Sequence, residues 1–234
     1  MPLFVSRIHA ICFDVDGTLS DTDDQMVAQL AKYLRPLKYL FPKHPPAFIA
    51  RRLVMTIEAP ANFLLGIPDF LGLDGPIAWL FDKVEHTIGY KPKKNYLLIE
   101  GVREMLESLS QGYPLAVITA RDVASTQAFL EQYDLLRFFH CIATAQTCGH
   151  TKPYPDPILW AADRMNVPAE ACLMVGDTTV DVRAARAAGA QIVGVLCGFG
   201  GLAELQKAGA DLILSTTPEL VPVLENELSD SGTK

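Results

Sequence analysis

Short apolar runs of the kind that form β-strands recur along the chain, and stretches with helical periodicity separate most of them. Strands are predicted at 8–13, 114–119, 139–144, 172–176, 191–196 and 211–214. Helices are predicted at 102–111, 121–133, 156–166, 179–188, 202–208 and 218–227. Continuous apolar strands that alternate with helices are typical of parallel sheets buried on both faces. The sequence therefore predicts an α/β fold with a doubly wound, mainly parallel sheet.

One long segment interrupts this alternation. Residues 22–97 contain no strand-like run, have a mainly helical pattern and are punctuated by prolines. We predict an inserted helical cap there, with residues 1–21 and 98–234 forming the core. Because the two connections of such an insertion lie close together, the cap could move as a lid. The apolar stretch 63–81 is expected to form the core of the cap, and any exposed part would offer a homodimer interface.

Charge and composition exclude several classes of protein. The net charge of -7 argues against a nucleic-acid surface, which requires clustered Lys and Arg. Charged residues and prolines interrupt the longest apolar stretch, 59–81, so no membrane span is predicted. The five cysteines have neither disulfide-framework nor zinc spacing, and the N-terminus has no signal-peptide pattern. We expect a cytoplasmic protein that acts on a small molecule.

Polar residues follow four of the predicted strands. The carboxylates and the other functional side chains at these strand ends are Asp14, Asp16, Thr119, Lys152, Asp177 and Asp181. In an open parallel sheet, ligands bind beyond the carboxyl ends of the strands, so these side chains should converge. Clustered carboxylates repel one another unless a cation lies among them, and Mg²⁺ prefers oxygen ligands of this kind. The pattern therefore predicts a Mg²⁺ site that could also neutralise a bound phosphate.

Four motifs occur in order at these strand ends: "DVDGTLSDT" (14–22), "VITAR" (117–121), "TKPYPDP" (151–157) and "GDTTVD" (176–181). With them the chain resembles the haloacid dehalogenase (HAD) superfamily, and within it the phosphoglycolate-phosphatase-like branch with a helical cap. The resemblance implies a Mg²⁺-dependent phosphatase that hydrolyses a small phosphate monoester through an aspartyl-phosphate.

The resemblance also implies a role for each acidic residue. Asp14 would be the nucleophile, and Asp16 would protonate the leaving oxygen and then activate water. Asp14, the backbone carbonyl of Asp16 and Asp177 would bind Mg²⁺. Asp181 would orient the metal site from outside the ligand sphere. An ester oxygen needs an acid when it leaves, whereas a halide does not, so Asp16 favours phosphate-ester chemistry over dehalogenation.

The remaining implied residues bind the phosphate. Thr119 and the backbone N–H groups of Val15, Asp16 and Ala120 would donate hydrogen bonds to it, and Lys152 would offset its negative charge. Arg121 follows directly and is a weaker candidate for substrate contact.

Two alternatives stay open at the level of sequence. A phosphomutase of the β-phosphoglucomutase type shares this core, although the chain lacks the usual Gly-x-Ser-Arg-like cap signature. A catalytically silent binding or assembly module would also share the fold, but the intact set of polar strand-end residues argues against it. The identity of the substrate is not predicted, because the cap sets it.

Overall fold

The computed structural model describes residues 3–21 and 96–231, with side chains as far as residue 225. The chain divides into two units, Met1–Asp23 with Tyr96–Lys234, and Asp24–Asn95. The predicted helical cap lies outside the described residues except for positions 96 and 97, so the helical cap and the lid motion stay predictions. The first unit is described below.

The described residues form strands and helices in strict alternation after the first strand. The strands are β1 (Ala10–Phe13), β2 (Leu115–Ile118), β3 (Phe139–Ala143), β4 (Cys172–Gly176), β5 (Gln191–Val195) and β6 (Leu212–Leu214). The helices are α1 (Val102–Leu109), α2 (Val123–Gln132), α3 (Asp156–Met165), α4 (Thr179–Ala188), α5 (Leu202–Ala208) and α6 (Leu220–Ser231). Each predicted strand and helix outside the cap is therefore confirmed, with ends that move by a few residues.

The six strands form one sheet in the order β3-β2-β1-β4-β5-β6, and every neighbouring pair is parallel. Phe13 at the end of β1 pairs with Val117 of β2 on one side and with Val175 of β4 on the other. The direction of winding reverses at β1, which is the position where open α/β sheets bind ligands. The predicted doubly wound parallel sheet is confirmed.

Apolar side chains cover both faces of the sheet. Alternate residues of one strand enter different clusters: Ile11 and Phe13 pack on one face, and Ala10 and Cys12 on the other. The four residues of β1 are fully buried. A strand buried on both faces holds the residues that follow it in a fixed position, and those of β1 are Asp14 to Asp16.

Local signals in the sequence explain where helix α4 begins and ends. Thr178 caps its N-terminus in a capping box with Asp181, and Gly189 ends it in the left-handed conformation with φ 77°. The capping box matters for the site because it brings the Asp181 carboxylate back towards the end of β4.

The chain leaves and re-enters this unit at adjacent positions. Ser20 and Leu98 form an antiparallel bridge. The N–H of Asp21 donates to the carbonyl of Leu97 at 2.9 Å, and the N–H of Ile99 donates to that of Leu19 at 3.0 Å. Residues 19–21 and 97–99 are therefore held side by side. A helix that could span a membrane is not found among residues 3–21 and 96–231.

Candidate active site

A buried ion-pair network lies beyond the carboxyl ends of β1 and β4. The Nζ atom of Lys152 donates to Oδ1 of Asp14 at 2.7 Å and to Oδ1 of Asp181 at 2.6 Å. All three side chains are at least nine-tenths buried. Lys152 lies between β3 and α3, so three separate segments meet at its ammonium group. The structure therefore brings together three of the six side chains predicted to converge at the strand ends, namely Asp14, Lys152 and Asp181.

Burial and charge act in opposite directions on this network. The pKa of Asp14 is raised from 3.8 to about 7, because burial and, to a lesser degree, the nearby Asp181 and Asp16 raise it more than the attraction and hydrogen bond of Lys152 lower it. Burial also lowers the pKa of Lys152, but Asp14 and Asp181 outweigh that effect and raise it above its ordinary value. Lys152 is therefore held as a cation. Further positive charge near Asp14 would stabilise the ionised form of its carboxyl group.

Asp177 follows β4 directly and is fully buried. Its Oδ2 atom accepts a hydrogen bond from the N–H of Phe199 at 2.6 Å. A Cβ atom at Gly198 would overlap this carboxylate, and one at Gly200 would overlap the Asp177 carbonyl. The glycines of "GFGGL" therefore allow the loop before α5 to pack against Asp177. The sequence alone predicts only a strand-to-helix turn for "GFGGL" (198–202), because the segment lacks the Gly-Lys-Ser/Thr of a phosphate-binding loop.

Asp181 is fixed from both of its oxygens. Oδ1 accepts from Lys152, and Oδ2 accepts from the N–H of Thr178 at 3.0 Å and from its hydroxyl at 2.6 Å. A Cβ atom at Gly176 would overlap the Asp181 side chain. The spacing of Gly176 and Asp181 thus has a steric reason, since only glycine leaves room for this carboxylate.

The carboxylate of Asp16 is held by Arg121. The Arg121 Nε atom donates to Oδ2 at 2.7 Å, and Nη2 donates to Oδ1 at 2.5 Å. Burial lowers the pKa of Arg121, but the hydrogen bonds and charge of Asp16 outweigh it and raise this pKa. The sequence interpretation considered Arg121 for substrate contact only and missed this bidentate pair.

The groups predicted to bind phosphate lie at the same edge of the sheet. Thr119 follows β2 and is buried, and its Oγ1 accepts from the N–H of Arg121 at 3.1 Å. Among the described residues, the N–H groups of Val15, Asp16 and Ala120 donate no backbone–backbone hydrogen bond. Gly17 turns the chain after Asp16 with φ 73°, a conformation that favours glycine.

Three carboxylates are close enough to hold one metal ion. Asp14, Asp177 and Asp181 each offer an oxygen, and these oxygens all lie within 4.8 Å of one another. Oxygen donors of this type suit a hard divalent cation such as Mg²⁺ or Ca²⁺. If all three carboxylates are ionised, one Lys152 ammonium leaves the buried cluster negative, so the donor set and its charge fit such an ion.

An open parallel sheet with acidic side chains and a lysine beyond its central strands defines an α/β enzyme core of the Rossmann-like type. The family model described as "Haloacid dehalogenase-like hydrolase" matches residues 11–195, and the chain belongs to this family. The resemblance found in the sequence is thereby confirmed.

The chain is similar to several named proteins of this family. It is 31% identical to the "Probable phosphatase IndB" of Dickeya dadantii, over 90% of this chain and 91% of the relative. It is 25% identical to the phosphoglycolate phosphatase of Escherichia coli, over 93% of this chain and 92% of the relative. The crystal structure of a predicted phosphoglycolate phosphatase from Haemophilus somnus has the same fold, with a TM-score of 0.67 at 22% identity over 93% of this chain and 98% of that one. The chain is thus a HAD-like hydrolase of the phosphatase class.

Proposed function

We propose that this chain is a Mg²⁺-dependent phosphatase that hydrolyses a small, soluble phosphate monoester through a phosphorylated Asp14. The observation that carries the proposal is the buried cluster in which Lys152 binds Asp14 and Asp181 within reach of Asp177. One basic and three acidic groups in one buried site have little value for folding, because ions lose solvation when they are buried.

The proposed reaction assigns a step to each of these groups. An Asp14 carboxylate oxygen attacks phosphorus, the bond from phosphorus to the ester oxygen breaks, and Asp16 gives that oxygen a proton. Water then attacks the phosphorus of the aspartyl-phosphate, gives its proton to Asp16 and releases inorganic phosphate and Asp14. Lys152 lowers the repulsion between the Asp14 carboxylate and the anionic substrate.

The metal would be held by Asp14, Asp177 and the backbone carbonyl of Asp16. When bound, it supplies positive charge that lets an anionic nucleophile approach an anionic phosphate. Asp181 orients the site through Lys152, since its oxygens already accept from Lys152 and Thr178. Thr119 and the N–H groups of Val15, Asp16 and Ala120 would bind the phosphate oxygens.

A phosphate-release assay tests the proposal. The wild-type protein is assayed with and without Mg²⁺ on a metabolite panel that includes phosphoglycolate, because a relative is named for that substrate. Mass spectrometry of enzyme that is denatured rapidly during turnover should find a phosphoryl group on Asp14. The variant Asp14→Asn should abolish turnover while leaving the circular dichroism spectrum unchanged. Substantial turnover by Asp14→Asn would reject the mechanism. An isomerised phosphate ester in place of inorganic phosphate would indicate a mutase.

A further inference from the structure

The Asp16–Arg121 pair differs in character from the Lys152 network. The Asp16 side chain is one-third exposed, at 33%, whereas that of Arg121 is 11% exposed. An exposed aspartate that made no directional contacts would sample several side-chain rotamers. Two parallel hydrogen bonds from one planar guanidinium instead define the orientation of both carboxylate oxygens.

The guanidinium is itself fixed by two aromatic rings. Its Cζ atom lies 5.1 Å from the ring centroid of Tyr96 and 5.4 Å from that of Phe129. These two rings contact each other edge to face, with centroids 5.8 Å apart. Cation–π contacts at such distances stabilise a desolvated guanidinium. We refer to Tyr96 and Phe129 as the aromatic shelf.

The aromatic shelf is in turn anchored to helix α2 and to the chain just after it. Gln132 accepts from the N–H of Tyr96 at 3.1 Å and donates to its carbonyl at 2.9 Å. The hydroxyl of Tyr133 donates to the same carbonyl at 2.5 Å. Phe129 is fully buried in the core. An unbroken series of contacts therefore connects the Asp16 carboxylate to the folded core.

We propose that Arg121 is a positioning residue that orients Asp16 for proton transfer in both halves of the phosphatase reaction. The inference rests on the proposed function, because it takes Asp16 as the acid and base. When one Asp16 oxygen carries the proton, the hydrogen bond to that oxygen must open. The second hydrogen bond then keeps the carboxyl group in place. A lysine ammonium is a compact point charge without the planar fork, so it would orient the carboxyl group less well.

Leaving-group dependence separates positioning of Asp16 from a general role in the fold. Arg121→Met removes the guanidinium, Arg121→Lys keeps the charge without the planar fork, and Arg183→Met changes an exposed arginine as a control. Each variant is assayed with an alkyl phosphate, whose leaving oxygen needs a proton, and with 2,4-dinitrophenyl phosphate, whose leaving group does not. The ratio kcat/KM is compared, because it reports the steps up to formation of the aspartyl-phosphate.

General acid catalysis contributes about 10²–10⁴-fold, so we expect Arg121→Met to lower kcat/KM for the alkyl phosphate by about ten- to a hundred-fold. For the dinitrophenyl ester the loss should stay within about threefold, since no acid is needed there. Arg121→Lys should fall between wild type and Arg121→Met, and Arg183→Met should match wild type. Arg121→Met should also release a burst of dinitrophenol before a slower steady state, because Asp16 would activate water less well.

The possible results separate the inference from the proposed function. Equal losses on both substrates, no loss, or a gain in activity would each overturn the positioning role. Asp16→Asn serves as the reference, and its loss should depend on the leaving group more steeply than that of Arg121→Met. If Asp16→Asn shows this dependence and Arg121→Met does not, only the inference fails. If the wild-type protein hydrolyses neither ester and no compound of the metabolite panel, the proposed function itself is rejected.

Discussion

Replacement of Lys152 by methionine should destabilise the protein strongly, because it leaves two buried carboxylates without their shared cation. Lys152 is 5% exposed, and Asp14 and Asp181 are 7% and 1% exposed. Removal of one partner of a buried ion pair costs about 3–5 kcal/mol. A domain of this size loses about 2–4 °C of Tm per kcal/mol, so the melting temperature should fall by about 10 °C.

The destabilisation should depend on pH in a defined direction. The pKa of Asp14 is raised from 3.8 to about 7 in the folded protein, mainly by burial, so the folded state binds this proton more tightly than the unfolded state. Stability from this group is therefore fully present below about pH 4 and is lost as the pH rises to about 7. Lys152→Met removes a cation that opposes the shift. The difference from wild type should consequently be largest above pH 7 and shrink towards pH 4.

Thermal and urea unfolding of wild type, Lys152→Met and the control Lys207→Met measure the effect between pH 4 and 8. Lys207 is exposed, so its substitution should change little. The double variant Asp14→Asn with Lys152→Met should recover part of the lost stability, because it removes one of the two uncompensated charges. The reasoning is refuted if Lys152→Met has the same melting temperature as the wild-type protein, or if its loss of stability is the same at pH 4 and pH 8.

Two further changes test the geometry of the site. Gly176→Ala should displace Asp181 and lower kcat by at least about tenfold, since a displacement of catalytic groups by about 1 Å can cost 10²-fold in rate. The control Gly112→Ala should be neutral, because a Cβ atom there meets nothing within 4 Å. Equal kinetics for the two variants would contradict the steric account. Asp177→Asn should raise the Mg²⁺ concentration for half-maximal activity by at least about 10–100-fold, because loss of even an outer partner of a metal ligand commonly costs that much. The control Asp163→Asn, at an exposed position, should give the same Mg²⁺ titration as wild type. An unchanged Mg²⁺ titration for Asp177→Asn would exclude Asp177 from the metal site.

The core fold could be predicted from the sequence because its strands are continuous apolar runs. Such runs are typical of strands in a parallel sheet that is buried on both faces. The residues that follow parallel strands must then lie at the same edge of the sheet. The positions of Asp14, Lys152 and Asp181 after their strands therefore predict that the three side chains lie in one region. The structure then shows Lys152 in contact with both carboxylates.

The partner of Asp16 could not be predicted in the same way. Arg121 is 105 positions away from Asp16 in the chain. An arginine after a strand has the same sequence signature whether it contacts a substrate or a neighbouring carboxylate. The aromatic rings that fix its direction belong to separate segments, and only the folded chain shows them together.

The steric reason for the glycines after β5 could not be predicted from the sequence either. The sequence explains "GFGGL" by the connection between a strand and a helix, and the structure contains this connection between β5 and α5. It also shows why bulk is excluded, since side chains at Gly198 or Gly200 would collide with Asp177. A steric requirement set by a residue in another loop leaves no periodic pattern in the sequence.

The antiparallel bridge between Ser20 and Leu98 has a consequence for protein engineering. Because the N–H of Asp21 already binds the carbonyl of Leu97, a very short linker could join these two ends without moving either. Closing a loop about tenfold shorter would save about 2 kcal/mol of chain entropy. We therefore expect that residues 22–95 can be exchanged for another module at this bridge with little strain in residues 19–21 and 97–99.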